Sequence, residues 1–201
     1  MDIQFFKGIE GKTLPKEVAI IALNNGSQSH WIIKPPYNST KISYDSQRQN
    51  NWLTHNHHGL NWYDGDISGK ILMKNLQLIS KKAGKVYVRG REKVAFLHKI
   101  IASEVINLKL ETECPSFQNL LRKDSYCIQH AIKFNHVKYS CALNNALRLK
   151  TWLNKNLTNL SQGEDTIDTN NEQLGNFAVS LVNTVSHGWS ISCRQNTPCM
   201  D

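Results

Sequence analysis

Cys127-Ile128-Gln129-His130, followed by Cys141, is the grouping in this chain with the clearest chemistry. A thiolate and an imidazole two residues apart can turn toward one ion from a single loop or helical turn, which is how many zinc sites begin. Cys141 adds a third donor from the start of a helix predicted over about 140–156, where Leu143, Leu147, Leu149, Trp152 and Leu153 are apolar. A fourth donor has to come from elsewhere, and both Glu17 and Cys114 qualify. The competing use of the same residues is as small buried hydrophobes beside one hydrogen-bonded histidine.

Other groupings carry weaker chemistry. His55, His57 and His58 sit among Asn, Trp and Gly in a predicted loop, with no Cys or acid beside them. Asp64 and Asp66 fit a turn better than a cation site. Arg89, Arg91, Lys93 and Lys99 follow a predicted strand, where an open α/β sheet presents its ligand crevice, and they form the candidate phosphate-binding cluster. Trp31, Trp52, Trp62 and Tyr63 could stack on bases or serve in the core.

The elements that must position these residues follow from apolar periodicity and turn residues. Strands are predicted over 3–9, 18–23 and 29–34, the last two joined by the tight-turn signal Asn24-Asn25-Gly26. Asn50-Asn51-Trp52-Leu53 reads as a short helix. Ser68 is an N-cap for a helix over about 69–83, closed by Gly84. Strands at 86–88 and 105–108 flank a helix over 92–101, and a further helical stretch follows Pro115. Three antiparallel strands followed by alternating helix and strand give an α/β fold. Its expected form is a five-stranded mixed sheet flanked by helices.

Charge divides the chain. Residues 161–201 hold five acids and one base, leaving 23 Lys+Arg and 11 Asp+Glu in residues 1–160, a net of +12. A domain that basic attracts polyanions, nucleic acid first among them. We therefore expect a folded domain over 1–158 and an acidic, polar tail over 159–201, available to protein partners. The apolar runs are too short to span a bilayer, and the N-terminus lacks the layout of a secretory signal. Five cysteines without compact spacing fit a reducing compartment, cytoplasmic or nuclear.

The order of elements resembles the ribonuclease H-like fold of the DEDDh 3′–5′ exonucleases. Lys16-Glu17-Val18-Ala19-Ile20-Ile21-Ala22-Leu23 looks like their second strand, and Ser140-Cys141-Ala142-Leu143-Asn144-Asn145-Ala146 is similar to their final motif. The catalytic positions depart from that pattern. The first-strand acids fall near Phe5 and Lys7, with Glu10 the nearest acid a slip could recruit. The third acid falls at Lys93, the histidine at Ser140 and the last acid at Asn145. Such residues cannot hold two divalent cations, so the two-metal reaction is expected to be absent.

Cys127-x-x-His130 with Cys141-Ala142-Leu143 is similar to the Maelstrom domain, a degenerate branch of that fold. The resemblance implies a structural zinc on a Glu-Cys-His-Cys set, with Glu17 as the Glu, and RNA binding in small-RNA silencing or its suppression. Cys114 remains the rival ligand. Alternative expectations are a weak metal-independent ribonuclease using His130 or the His57-His58 loop, and a protein-interaction scaffold.

Overall fold

A computed structural model describes residues 1–121, 127–132 and 139–161, with side chains through Asn156. β1 (Asp2–Lys7), β2 (Thr13–Ile21) and β3 (Gln28–Ile32) form an antiparallel sheet in that order. The 22–27 turn is closed by Ala22 N–H donating to the Ser27 carbonyl at 2.8 Å, and it fixes the register Glu17↔Ile32 and Ala19↔His30. Opposed residues share a face, so Asp2, Gln4, Glu17, Ala19 and His30 all project from one side of the sheet.

Next come α1 (Tyr44–Asn56), α2 (Gly69–Ser80), β4 (Lys85–Val88), α3 (Arg91–Leu97) and β5 (Glu104–Asn107). The short α4 (Leu108–Glu111) and α5 (Ile128–Ala131) precede the long α6 (Ala142–Ser161). Ser68 caps α2 by accepting from Ile71 N–H. One core, including Ile3, Val18, Leu72, Leu76, Val88 and Leu97, lies between the strands and α2 and α3. On the opposite side, Ala19 and Ile21 pack on Cys127, Cys141, Ala142, Leu143 and Ala146. β2 is therefore covered on both faces, which explains its unbroken buried run Lys16–Ala19.

The sheet differs from the single five-stranded one expected. β4 and β5 pair in parallel as a separate two-stranded sheet. Where β1 and β4 approach each other, the Met1 ammonium donates to the Tyr87 carbonyl at 2.9 Å in place of a ladder. The two sheets nevertheless share the Ile3–Val88 core. The region after Pro115 is a series of turns over 117–120, not a helix.

α1 is much longer than the four residues expected. Its buried residues are Ser46 and Asn50, so apolar periodicity carries no signal for it. Asn50 instead accepts from Lys7 N–H at 2.7 Å and donates to Lys7 carbonyl at 2.8 Å, continuing the strand's hydrogen bonding with a side chain. The expected boundary after residue 158 falls inside α6, and the proposed acidic tail beyond Ser161 lies outside the described residues.

Candidate metal centre

Glu17 enters the site from β2, the strand covered on both faces, and its side chain is fully buried. Its Oε2 accepts from Ala142 N–H at 2.9 Å, where an otherwise unpaired amide of the first turn of α6 favours negative charge. Oε1 is thereby left facing Cys141 Sγ at 3.3 Å, Cys127 Sγ at 3.9 Å and His30 Nε2 at 2.8 Å. Cys127 lies at the start of α5 and Cys141 immediately before α6, both buried. Glu17, His30, Cys127 and Cys141 each offer one donor atom, all within 4.8 Å of one another. This group can hold a metal ion.

The separations suit that role. Four donors around one ion, at about 2.0 Å for nitrogen or oxygen and 2.3 Å for sulfur, stand about 3.3–3.8 Å apart. Glu17 Oε1 lies 2.8–3.9 Å from the other three donors and Cys127 Sγ lies 3.9 Å from His30 Nε2, and all four donors fall within 4.8 Å of one another. Protons hold the same groups together when no cation does. The Cys141 thiol hydrogen-bonds Cys127 and, with His130 and His30, lowers the Cys127 thiol, while Cys141 itself is pushed up by that bond, by burial and by Glu17. Burial would lower His30, but hydrogen bonds to Cys127 and Glu17 raise it to about 9.

His30 is the residue that sequence spacing missed. It reads as one more polar position in a strand, and only the observed register, with Ala19 opposite His30, brings it beside Glu17. His130, the imidazole expected from the Cys-x-x-His spacing, is also at the site. Its Nδ1 is 3.2 Å from Cys127 Sγ and 3.9 Å from Glu17 Oε1. Its Nε2 is 2.5 Å from the His58 carbonyl, which only a protonated nitrogen can satisfy, so the Nδ1 lone pair faces the cluster in the neutral ring. His130 thus flanks the mutually close foursome, and His30 completes it. Cys114 does not take part. It is buried among Ile106, Leu108, Leu120, Leu149 and Leu153, and burial pushes its thiol up.

The His57–Gly59 loop clasps the site instead of binding metal by itself. His57 carbonyl accepts from Ser140 N–H at 2.7 Å, and His58 carbonyl holds His130. Gly59 has φ +69, and a Cβ there would meet the Tyr139 ring at 2.7 Å, so both backbone and space require glycine. Asp64 accepts from Asn61 N–H at 2.7 Å, as a turn residue does.

A second polar cluster lies under the same end of α6. Asp2 is fully buried and ion-paired to Lys93, and its Oδ2 accepts from Asn145 Nδ2 at 2.9 Å and Gln4 Nε2 at 3.1 Å. Ser140 Oγ accepts from both amides as well, at 3.1 and 3.4 Å. Lys93, Ser140 and Asn145 therefore converge, but their partners from β1 are Asp2 and Gln4. Phe5 and Lys7, the positions expected there, are elsewhere. Phe5 packs edge-on against Phe96 with ring centroids 5.4 Å apart, and Lys7 pairs with Glu92 at 3.2 Å. Glu10, the alternative, is paired with Lys12 at 2.7 Å.

The expected phosphate-binding cluster divides. Lys93 is committed to Asp2, and Arg89 Nε donates to the Cys114 carbonyl at 3.2 Å. Both cations also lie over the Phe117 ring, at 5.2 and 5.6 Å. Arg91 and Lys99 are exposed.

No protein-family model, curated protein or solved structure matches this chain.

Among the described residues, no helix is long and apolar enough to cross a membrane.

Proposed function

We propose that this chain is a zinc-stapled nucleic-acid-binding module, with RNA its foremost ligand, whose exonuclease-like cation pocket has been closed. The observation that carries the reading is the meeting of two thiols, a carboxylate and an imidazole from β2, β3, α5 and α6. Sulfur and nitrogen donors select zinc over magnesium or manganese, which prefer all-oxygen shells. Held by four protein donors, zinc supplies cohesion and has no open position for a reactive water. Glu17, Cys127, Cys141 and an imidazole would hold it, tying α6 to the middle of the sheet.

The kinship to the Maelstrom domain is part of this proposal, and the convergence of Lys93, Ser140 and Asn145 supports it. An ammonium pairs with one oxygen of Asp2, and two amides donate to the other. One acid in that state holds no pair of cations.

The ligand reading rests on charge, a net of +12 over residues 1–160. Arg91 and Lys99 are the exposed members of the proposed contact surface. Phosphate contacts of this kind weaken steeply with salt. Two measurements test the reading on the full chain. Metal analysis should give one equivalent of zinc, and single-stranded RNA should bind with a negative slope of log affinity against log salt. Zinc-free wild-type protein would refute the staple, and salt-independent or absent binding would refute the nucleic-acid role. Divalent-dependent cleavage of labelled RNA would refute the closed pocket. EDTA-resistant cleavage would favour a metal-independent ribonuclease instead.

A further inference from the structure

The cluster contains one more donor than a structural zinc takes. His30 Nε2 and His130 Nδ1 both face the Glu17–Cys127 pair, at 2.8 and 3.9 Å from Glu17 Oε1 and 3.9 and 3.2 Å from Cys127 Sγ. We propose that the two histidines are interchangeable fourth ligands, with His30 the donor that an incoming metal meets first and the one through which it leaves. The inference rests on the metal centre proposed above.

Three observations separate their roles. First, His30 has a side-chain exposure of 20%, against 5% for His130 and 0% for Glu17, so it forms the solvent-facing wall of the cluster. Second, it stands on β3, an outer strand of the three-stranded sheet, whereas Glu17 is on the central strand. Third, His130 is held in its donor orientation by the His58 carbonyl, as outer hydrogen bonds commonly fix metal-binding imidazoles. His30 is held by Glu17 itself, a bond that a metal taking up that carboxylate would replace. A preset inner imidazole and a displaceable outer one make a site whose metal can be exchanged stepwise, one ligand at a time.

The test uses the full chain, cobalt(II) as a visible probe, and a chelator to measure release. His30→Gln keeps an amide N–H for Glu17 while removing the imidazole. His130→Ala removes the inner ring. Each single variant should still bind one equivalent of cobalt with thiolate charge-transfer absorption, and the double variant should bind at least about 100-fold more weakly than either. Chelator-driven release should differ from wild type in His30→Gln by about tenfold. A folded His130→Ala protein that binds no cobalt would overturn the proposal, since His30 would then be only a hydrogen-bond partner. If His130→Ala does not fold, the release rate of His30→Gln decides: a changed rate supports the proposal and an unchanged one overturns it. Wild-type protein taking up neither cobalt nor zinc would overturn the centre itself.

Discussion

Two buried clusters sit on one face of the β1–β3 sheet, beneath the first turn of α6, and they differ in how their charge is balanced. Around Glu17 the partners are sulfur and imidazole donors, a group that could hold a metal ion in place of protons. Around Asp2 the partners are an ammonium and two amides, all hydrogen donors, and the carboxylate is already satisfied. A buried acid is a metal site only when its neighbours are also donors of electron pairs. One helix N-terminus therefore serves one cluster open to a cation and one sealed against it.

The largest effect should come from the open cluster. Cys141→Ser should lose the metal and lower Tm by about 10 °C, with a melt no longer sensitive to EDTA, as followed by circular dichroism. A variant melting like wild type in both conditions would remove the distinction between the clusters.

The sealed cluster should respond to charge alone. Lys93→Met leaves the Asp2 carboxylate buried and uncompensated, at a cost of about 3–5 kcal/mol in urea unfolding. Adding Asp2→Asn should recover more than half of that loss. Additive costs in the double variant would mean that the ion pair is not the organising contact.

A smaller effect belongs to the loop that clasps the Glu17 cluster. Burial, reinforced by neighbouring His57 and His130, lowers His58 to about 3. The unfolded chain then binds the proton more readily, so this contribution is intact above about pH 6.5 and is lost as pH falls toward 3. His58→Gln should flatten that part of the pH dependence of the urea midpoint, and an unchanged profile would assign acid sensitivity elsewhere.

The smallest effects are expected at the exposed cations Arg91 and Lys99. Arg91→Ala and Lys99→Ala should each weaken RNA binding a few-fold and reduce the salt slope by about one unit, without changing Tm. Arg89→Ala, by contrast, should lower Tm through its lost bond to the Cys114 carbonyl and its contact with Phe117. Equal behaviour of all three variants would erase the division between structural and surface cations.

Most of the regular elements were legible because apolar spacing and turn residues mark them. The hairpin at Asn24-Asn25-Gly26, the Ser68 cap and the apolar face of α6 are examples. α1 was not legible, because Asn50 docks it through hydrogen bonds and leaves no periodic apolar stripe. At the site, Cys127, His130 and Cys141 could be singled out by residue type and spacing, whereas Glu17 shared the fourth place with Cys114 and was preferred only through the resemblance to the Maelstrom domain. His30, Asp2 and Gln4 could not, since strand alternation has a period of two and a small error in register moves a residue to another position or face.

The sequence by itself determined the kinds of donor present, the close spacing of Cys127 and His130 and the basic balance of residues 1–160. Tertiary structure decided which imidazole completes the group around Glu17, and that Asp2 is the acid Lys93 neutralises. The physical reason is that local spacing reaches only a few residues. His30 is set beside Glu17 by cross-strand pairing, and Lys93 beside Asp2 by the packing of α3 on β1, contacts that chain neighbours do not encode.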